Sequence, residues 1–109
     1  MLFKDYTRGD ALVAELITKR LEGRSIVETR DYLHRLTDRS DAMLLLDMSH
    51  IEFMASEGLG VLVSAIKRTS GRLGAYGLNP QVRELLHLTR MDEILHIYES
   101  ADDALVDRT

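Results

Sequence analysis

The sequence predicts a single α/β domain built around a largely parallel sheet. Strand-like and helix-like segments alternate through the middle and end of the chain, which is typical of parallel strands joined by crossover helices. The run from Met43 to Leu46 is apolar without alternation, as expected for a strand that is buried on both faces. The 109 residues are enough to build one core but not two.

The stretch from this run to Gly71 is predicted to form a buried strand, a tight link and a helix. The strand ends at Asp47, and Ser56 is the expected helix cap because its hydroxyl can accept a hydrogen bond from a first-turn amide. Gly71 is a suitable helix stop. The predicted inward-facing positions at helical spacing are Leu59, Leu62, Val63 and Ile66.

The flanking segments supply the remaining elements. Ser25, followed by Glu28 three residues later, matches a reciprocal capping box at a helix start. Asn79 followed by Pro80 is a strong helix start, because asparagine accepts from first-turn amides and proline lacks an amide hydrogen. The other predicted elements are an edge strand over residues 1–9, a helix over 24–39, a strand over 73–78, a strand over 94–98 whose pattern also fits a helix, and a short terminal helix opened by Ser100.

Composition argues against several classes of protein. The 18 acidic and 14 basic residues give a net charge of −4 with no sizeable basic block, so nucleic-acid binding is disfavoured. The longest apolar run, residues 42–46, is too short to span or insert into a membrane. The start of the chain has no apolar stretch long enough for a signal peptide, which predicts a cytoplasmic location.

The residues that could carry out catalysis do not form a recognised motif. The four histidines lack metal-ligand spacing, and the chain has no cysteine, so no metal or cofactor is predicted. Asp47, His50 and Ser56 lie close in sequence, but the GxSxG pattern of a nucleophile elbow is absent, and we expect no enzyme. Met48, Met54 and Met91 are expected in the core, although Met54 is also a candidate contact residue.

Residues 47–62, DMSHIEFMASEGLGVL, resemble the core signature of the STAS domain, the fold of bacterial anti-sigma factor antagonists. The resemblance continues through residues 71–105 and therefore covers most of the chain. Two positions depart from the family pattern. Ala55 stands where most members have aspartate, and Glu57 stands where the phosphorylated serine or threonine would be.

The resemblance implies an STAS-like domain over residues 1–109, with a mixed sheet of four or five strands and helices mainly on one face. It also implies that residues 11–17 form a strand that pairs with residues 2–7. Local pattern alone favours a helix there, since alanine, leucine and glutamate are good helix formers.

The implied function is that of a signalling module in transcription regulation, which binds a kinase-fold anti-sigma factor and does not catalyse a reaction. An accessory subunit of a lipid-transport ATPase or a signalling scaffold is the alternative, and a homodimer is compatible with either. The predicted partner-binding residues, within the loop and helix start from Ser49 to Leu59, are Ser49, His50, Met54, Ser56, Glu57, Gly58 and Leu59.

The charge at Glu57 has two interpretations. A glutamate in the first turn of a helix interacts favourably with the helix dipole, by about 0.3–1 kcal/mol, and needs no further role. The resemblance instead implies a position that normally carries a regulatory phosphate and that cannot be phosphorylated here. Ser56 is then the alternative acceptor. Gly58 and Gly60 allow either close helix packing or close approach of a partner.

Overall fold

The computed structural model of the protein describes residues 3–107. Seven strands, four helices and a 3₁₀ turn are present in this part of the chain. In chain order they are β1 (Phe3–Arg8), β2 (Ala11–Leu16), β3 (Arg20–Leu21), α1 (Arg24–Arg39), β4 (Met43–Asp47), β5 (Phe53–Met54), α2 (Gly58–Arg68), β6 (Leu73–Tyr76), α3 (Pro80–Leu88), the 3₁₀ turn (Met91–Glu93), β7 (His96–Tyr98) and α4 (Ala101–Asp107).

The main sheet has five strands in the order β1-β2-β4-β6-β7. Strands β1 and β2 are antiparallel, and the other neighbours are parallel. Helices α1, α2 and α3 bury their apolar residues on one face, while α4 packs on part of the other. The predicted mixed sheet of four or five strands, with helices mainly on one face, is therefore confirmed. Strand β4 is central as predicted, and Leu44 and Leu46 are buried.

The ambiguous segment is a strand over Ala11–Leu16, so the prediction from the resemblance is confirmed over these residues. Residues 11–16 pair with residues 3–8 on one side and with β4 on the other. Four of the six are buried, including Val13 and Ala14 on opposite faces. Burial on both faces of the sheet outweighs the local helix propensity, which is worth only tenths of a kcal/mol per residue.

The predicted capping box at Ser25 is wrong. Helix α1 begins after Gly23, which has a φ of 58°, and no side chain caps it. The Ser25 hydroxyl instead accepts from the amide of Glu22 at 2.9 Å and lies 2.7 Å from the carbonyl oxygen of Arg20. The serine therefore holds the turn before the helix.

The other predicted helix boundaries are present. Asn79 Oδ1 accepts from the amide of Val82 at 2.9 Å, and the Ser100 hydroxyl accepts from the amide of Asp103 at 3.1 Å. Gly71 has a φ of 84° and donates its amide to the carbonyl of Ile66 at 2.9 Å, which ends α2. The strand predicted over residues 94–98 is restricted to β7, and the one predicted over 73–78 ends with β6.

The predicted inward-facing residues of α2 all contact the core: Leu62 is fully buried, and Leu59, Val63 and Ile66 are partly buried and pack against it. The prediction missed that Gly58, Val61 and Ala65 are also fully buried. Small residues at two of these positions let the helix approach its neighbours closely. A Cβ atom at Gly58 would lie 2.9 Å from Met54 Cγ and 3.2 Å from Leu21 Cδ2, whereas one at Gly60 would meet nothing within 4 Å.

Two tyrosines pack on opposite faces of the main sheet. Tyr32 of α1 stacks on Phe3 with ring centroids 4.4 Å apart, and its hydroxyl donates to Asp5 at 2.9 Å. Burial, followed by the hydrogen bond to Asp5, raises the pKa of Tyr32. On the opposite face, burial and then the Asp47 carboxylate raise the pKa of Tyr76. Both side chains are thus held in the neutral form.

We predict opposite effects on stability for alanine at the two glycines of the α2 start. Gly60→Ala should raise the free energy of unfolding by about 0.5–1 kcal/mol, because it removes backbone entropy from the unfolded chain without creating a contact. Gly58→Ala should lower it, since the new methyl group displaces Met54 and Leu21. Urea unfolding of both variants measures the difference, and equal effects would contradict the packing described.

The second prediction concerns alkaline pH. Because the folded-state pKa of Tyr32 and of Tyr76 lies above the ordinary value of 10.0, their contribution to stability is complete below about pH 10 and is lost as the pH rises through the folded-state values. In an absorbance titration at the phenolate band, Tyr32→Phe and Tyr76→Phe should each remove a late-titrating phase. Loss of an early phase from either variant would show that the tyrosine is not held neutral.

Candidate interaction surface

The connection between β4 and α2 lies at the carboxyl end of the parallel strands, where ligands and partners commonly bind in open α/β sheets. It is not a free loop. Strand β5 within it pairs in parallel with β3, which puts Phe53 beside Arg20 and Met54 beside Leu21. The amide of Glu52 donates to the carbonyl of Lys19 at 2.7 Å. The connection is therefore fixed to the chain segment that precedes α1.

The start of α3 holds the connection from its other side. The Asn79 amide donates to the carbonyl oxygens of Ile51 and Glu52, at 3.1 and 2.8 Å. The Gln81 side chain accepts from the amide of Met54 at 3.0 Å and donates to its carbonyl at 3.2 Å. These two side chains thus hydrogen-bond backbone groups of Ile51, Glu52 and Met54, in addition to the pairing of β5 with β3, so the backbone of this surface is held in place by the domain itself.

The first predicted contact residues, Ser49 and His50, are exposed. Asp47 Oδ1 accepts from the Ser49 amide at 3.0 Å and from its hydroxyl at 2.6 Å, which closes a tight turn directly after β4. His50 Nε2 lies 3.2 Å from Glu15 Oε1 on the neighbouring strand β2. Both side chains are available at the surface, but each is held in place by a carboxylate.

Helix α2 starts differently from the sequence prediction. Glu57 occupies the cap position with helical φ and ψ of −61° and −24°, and no side chain caps the helix. The amides of Gly58, Leu59 and Gly60 donate instead to the carbonyls three residues earlier, at 2.9, 3.1 and 3.2 Å. The predicted cap at Ser56 is therefore wrong, because the chain enters the helix through a 3₁₀-like turn that already satisfies these amides.

The side chains of Ser56 and Glu57 point outward from this turn. Both residues are exposed. Within residues 3–107 the Ser56 hydroxyl makes no hydrogen bond and the Glu57 carboxylate makes no ion pair. The carboxylate lies at a helix N-terminus, where the dipole favours a negative charge. A serine hydroxyl and an unpaired charge are thus presented side by side.

Two of the predicted contact residues are not accessible. Met54 is only 1% exposed, so its side chain belongs to the core and we remove it from the surface. Gly58 is also buried, and its lack of a side chain serves the packing against Met54 and Leu21. Leu59 is half-buried and packs against the core. The accessible part of the predicted set is Ser49, His50, Ser56, Glu57 and the outer side of Leu59.

The structure adds a pair that sequence analysis did not find. The Arg20 guanidinium lies over the Phe53 ring, 4.5 Å from its centroid, and also forms an ion pair with Glu22. Arg20 is exposed and Phe53 is half-buried, so this stack borders the connection. The pair depends on the parallel pairing of two two-residue strands that are far apart in sequence, and no local pattern indicates it.

The catalytic alternative gains no support from this arrangement. His50 faces Glu15, and neither Asp47 nor Ser56 hydrogen-bonds to it in the described part of the chain. Among residues 3–107 no group of three histidine, aspartate or glutamate side chains could hold a metal ion. In the same range no helix is both long and apolar enough to cross a bilayer.

Comparison with known proteins identifies the family. A sequence profile of the STAS domain matches residues 10–104. The anti-sigma F factor antagonist of Paenibacillus polymyxa is 28% identical over 96 residues, which cover 81% of this chain and 82% of that protein.

Two solved structures share the fold. An anti-sigma-factor antagonist (STAS) domain protein from Planctomyces limnophilus matches with a TM-score of 0.87 at 18% identity, over 98% of this chain and 97% of that one. The phosphorylated form of the Bacillus cell fate determinant SpoIIAA matches with a TM-score of 0.69 at 12% identity, over 98% of this chain and 99% of that one. The chain belongs to the STAS domain family and resembles its anti-sigma factor antagonists.

Proposed function

We propose that this protein antagonises an anti-sigma factor of the kinase fold by binding it through the accessible residues of the β4–α2 connection and the α2 start. These residues are Ser49, His50, Ser56, Glu57 and the outer side of Leu59. The proposal rests on how the side chains of residues 47–62 are divided between the core and the surface. Most of their apolar members are buried, with Phe53, Ala55 and Leu59 half-buried, while the polar members from Ser49 onward are exposed on a surface fixed by β3 and α3.

A fixed surface suits a protein that competes for a partner. Ordering a flexible loop on binding costs about 0.5–1.5 kcal/mol for each immobilised side chain. Here the hydrogen bonds from Asn79 and Gln81 have already ordered the backbone of residues 51–54. The cost of ordering this backbone is therefore not incurred when a partner binds.

Release of the sigma factor then follows from mass action. The antagonist and the sigma factor compete for the anti-sigma factor, and no covalent step by this chain is needed. The ratio of their affinities and concentrations sets how much sigma factor is free. The exposed Gly60, where a Cβ would meet nothing within 4 Å, leaves room for partner atoms beside the helix start.

Glu57 makes this surface permanently charged. A phosphate would bring about −1.5 to −2 charges and three acceptor oxygens, whereas the carboxylate brings one charge and a smaller planar group. The chain thus imitates the modified state of a switching antagonist incompletely. We infer that its own partner presents a basic residue to Glu57, and that a partner adapted to serine at this position binds it weakly.

The direct test is a titration against a kinase-fold anti-sigma factor encoded beside this protein's gene. We expect saturable binding, displacement of the sigma factor, and hydrogen-exchange protection concentrated in residues 49–59. Protection confined to α4 would contradict the proposal, as would binding that leaves the sigma factor in place.

Glu57→Ser should strengthen binding to an anti-sigma factor whose own antagonist has serine at this position. Removing an unpaired carboxylate from a buried contact should improve Kd by about tenfold or more. The matched control is Asp103→Ser, since Asp103 is also an exposed acid at the start of a helix but lies in α4 on the other face of the sheet. Isothermal titration calorimetry of the three proteins should show a gain for Glu57→Ser alone.

Phosphorylation gives an independent prediction. After incubation with the anti-sigma factor and Mg-ATP, intact-mass spectrometry should find no phosphate on residue 57 and at most a low level on Ser56. Glu57→Ser should become phosphorylated at residue 57. Stoichiometric phosphate on wild-type Ser56 that abolishes binding would overturn the non-switching proposal and would mean that the acceptor is shifted by one residue.

A further inference from the structure

A second surface feature lies away from the β4–α2 connection, between the edge strand β1 and the C-terminal half of α1. It is a groove of about 530 Å³, within the range of roughly 300–1,000 Å³ that is usual for small-molecule sites. Phe3 and Asp5 line it from the strand, and the lining residues of the helix are Tyr32, Arg35, Leu36, Asp38 and Arg39. The function proposed above does not use it.

The apolar wall of the groove is rigid. The rings of Phe3 and Tyr32 are stacked at 4.4 Å with an interplanar angle of 11°, and the buried Leu36 lies beside them. The Tyr32 hydroxyl is fixed by its hydrogen bond to Asp5 at 2.9 Å. The accessible part of this wall is mainly Phe3, because Tyr32 and Leu36 are buried behind it, and it can bind the apolar part of a ligand without rearranging.

The charges around the groove leave one cation unmatched. Asp5 lies 3.9 Å from the guanidinium of Arg39, and Asp38 forms an ion pair with Arg68 of α2. Each lining acid therefore has a cationic partner. Arg35 also lines the groove and is exposed, but it makes no ion pair with any residue between 3 and 107.

We propose that this groove binds a small organic anion that has a carboxylate attached to an apolar body. The carboxylate would accept two parallel hydrogen bonds from the Arg35 guanidinium, which presents them in a planar fork. The apolar body would lie on the Phe3–Tyr32 wall. A neutral ligand would form no ion pair with Arg35, and a short carboxylate would not contact the Phe3–Tyr32 wall. Recognition therefore requires both a carboxylate and an apolar body.

Two ligand bodies satisfy this chemistry, an alkyl chain and an aryl group, and the experiment distinguishes them. The full chain is titrated with octanoate and with 3-phenylpropionate, using octanol and acetate as probes that each lack one part. Amide and aromatic NMR resonances report where each probe binds. We expect saturable shifts at Phe3, Tyr32 and Arg35 with at least one carboxylate, and binding of octanol and acetate that is about tenfold weaker or more.

Three variants test the role assigned to Arg35. Arg35→Gln should weaken carboxylate binding by about tenfold, and Arg35→Lys should weaken it less because the charge remains. Arg30→Gln is the matched control, an exposed arginine of the same helix that does not line the groove, and should bind as the wild type does. Both positions are on the surface, so the spectra away from the substituted residues should be unchanged.

Several results would overturn the proposal. Octanol that binds as tightly as octanoate would show a purely apolar site. Equal affinity of wild type and Arg35→Gln would show that the arginine is not a ligand. Shifts that map outside the groove, or no saturable shift with either carboxylate, would show that the groove does not take small organic anions. None of these outcomes depends on the anti-sigma factor.

Discussion

The position of β4 between two parallel neighbours is the constraint on which the rest of the structure depends. Its registers with β2 and β6 are contiguous, with Leu45 opposite Val13 on one side and Gly74 on the other. Successive side chains point to opposite faces, and residues 43–46 are all buried. The helical layer must therefore cover one face and α4 part of the other. This arrangement also delivers residues 48–57 to the carboxyl edge of the sheet.

The candidate interaction surface follows from this position of residues 48–57. Once the strand ends at Asp47, the carboxylate closes the turn at Ser49, and Ile51 and Met54 return the chain to the core. The polar residues between and after Ile51 and Met54 would be unfavourable in the apolar core and therefore remain at the surface. Most residues of the signature at 47–62 are thus needed for packing, and only a few of them are accessible at the surface.

The fold could be predicted from the sequence more completely than the details of the site could. The apolar run of β4, the alternation of elements and the start of α3 are local signals, and each appears in the structure. Serine hydroxyls were less predictable, because the same side chain can cap a helix or hold a turn. Ser25 bonds to Glu22 and Arg20, and Ser56 is displaced from capping by backbone carbonyls.

Contacts between residues that are far apart in the chain could not be predicted from the sequence alone. Met54 was expected in the core, but its packing against Leu21 depends on the pairing of β3 with β5, which brings two distant parts of the chain together. The stack of Arg20 on Phe53 depends on the same pairing of β3 with β5. A strand of two residues carries no periodicity, so neither contact leaves a pattern along the chain.

The start of α2 indicates how charge at this surface acts. Anions are usually held at a helix N-terminus by free backbone amides together with the dipole. In this chain the amides of residues 58–60 already donate to carbonyls of residues 55–57, so the helix offers a negative group only the dipole. A carboxylate at Glu57 is consequently tolerated without being drawn inward, and a phosphate on Ser56 would likewise remain directed at solvent. In this arrangement a charge on either side chain changes the surface of the domain and is compatible with its fold.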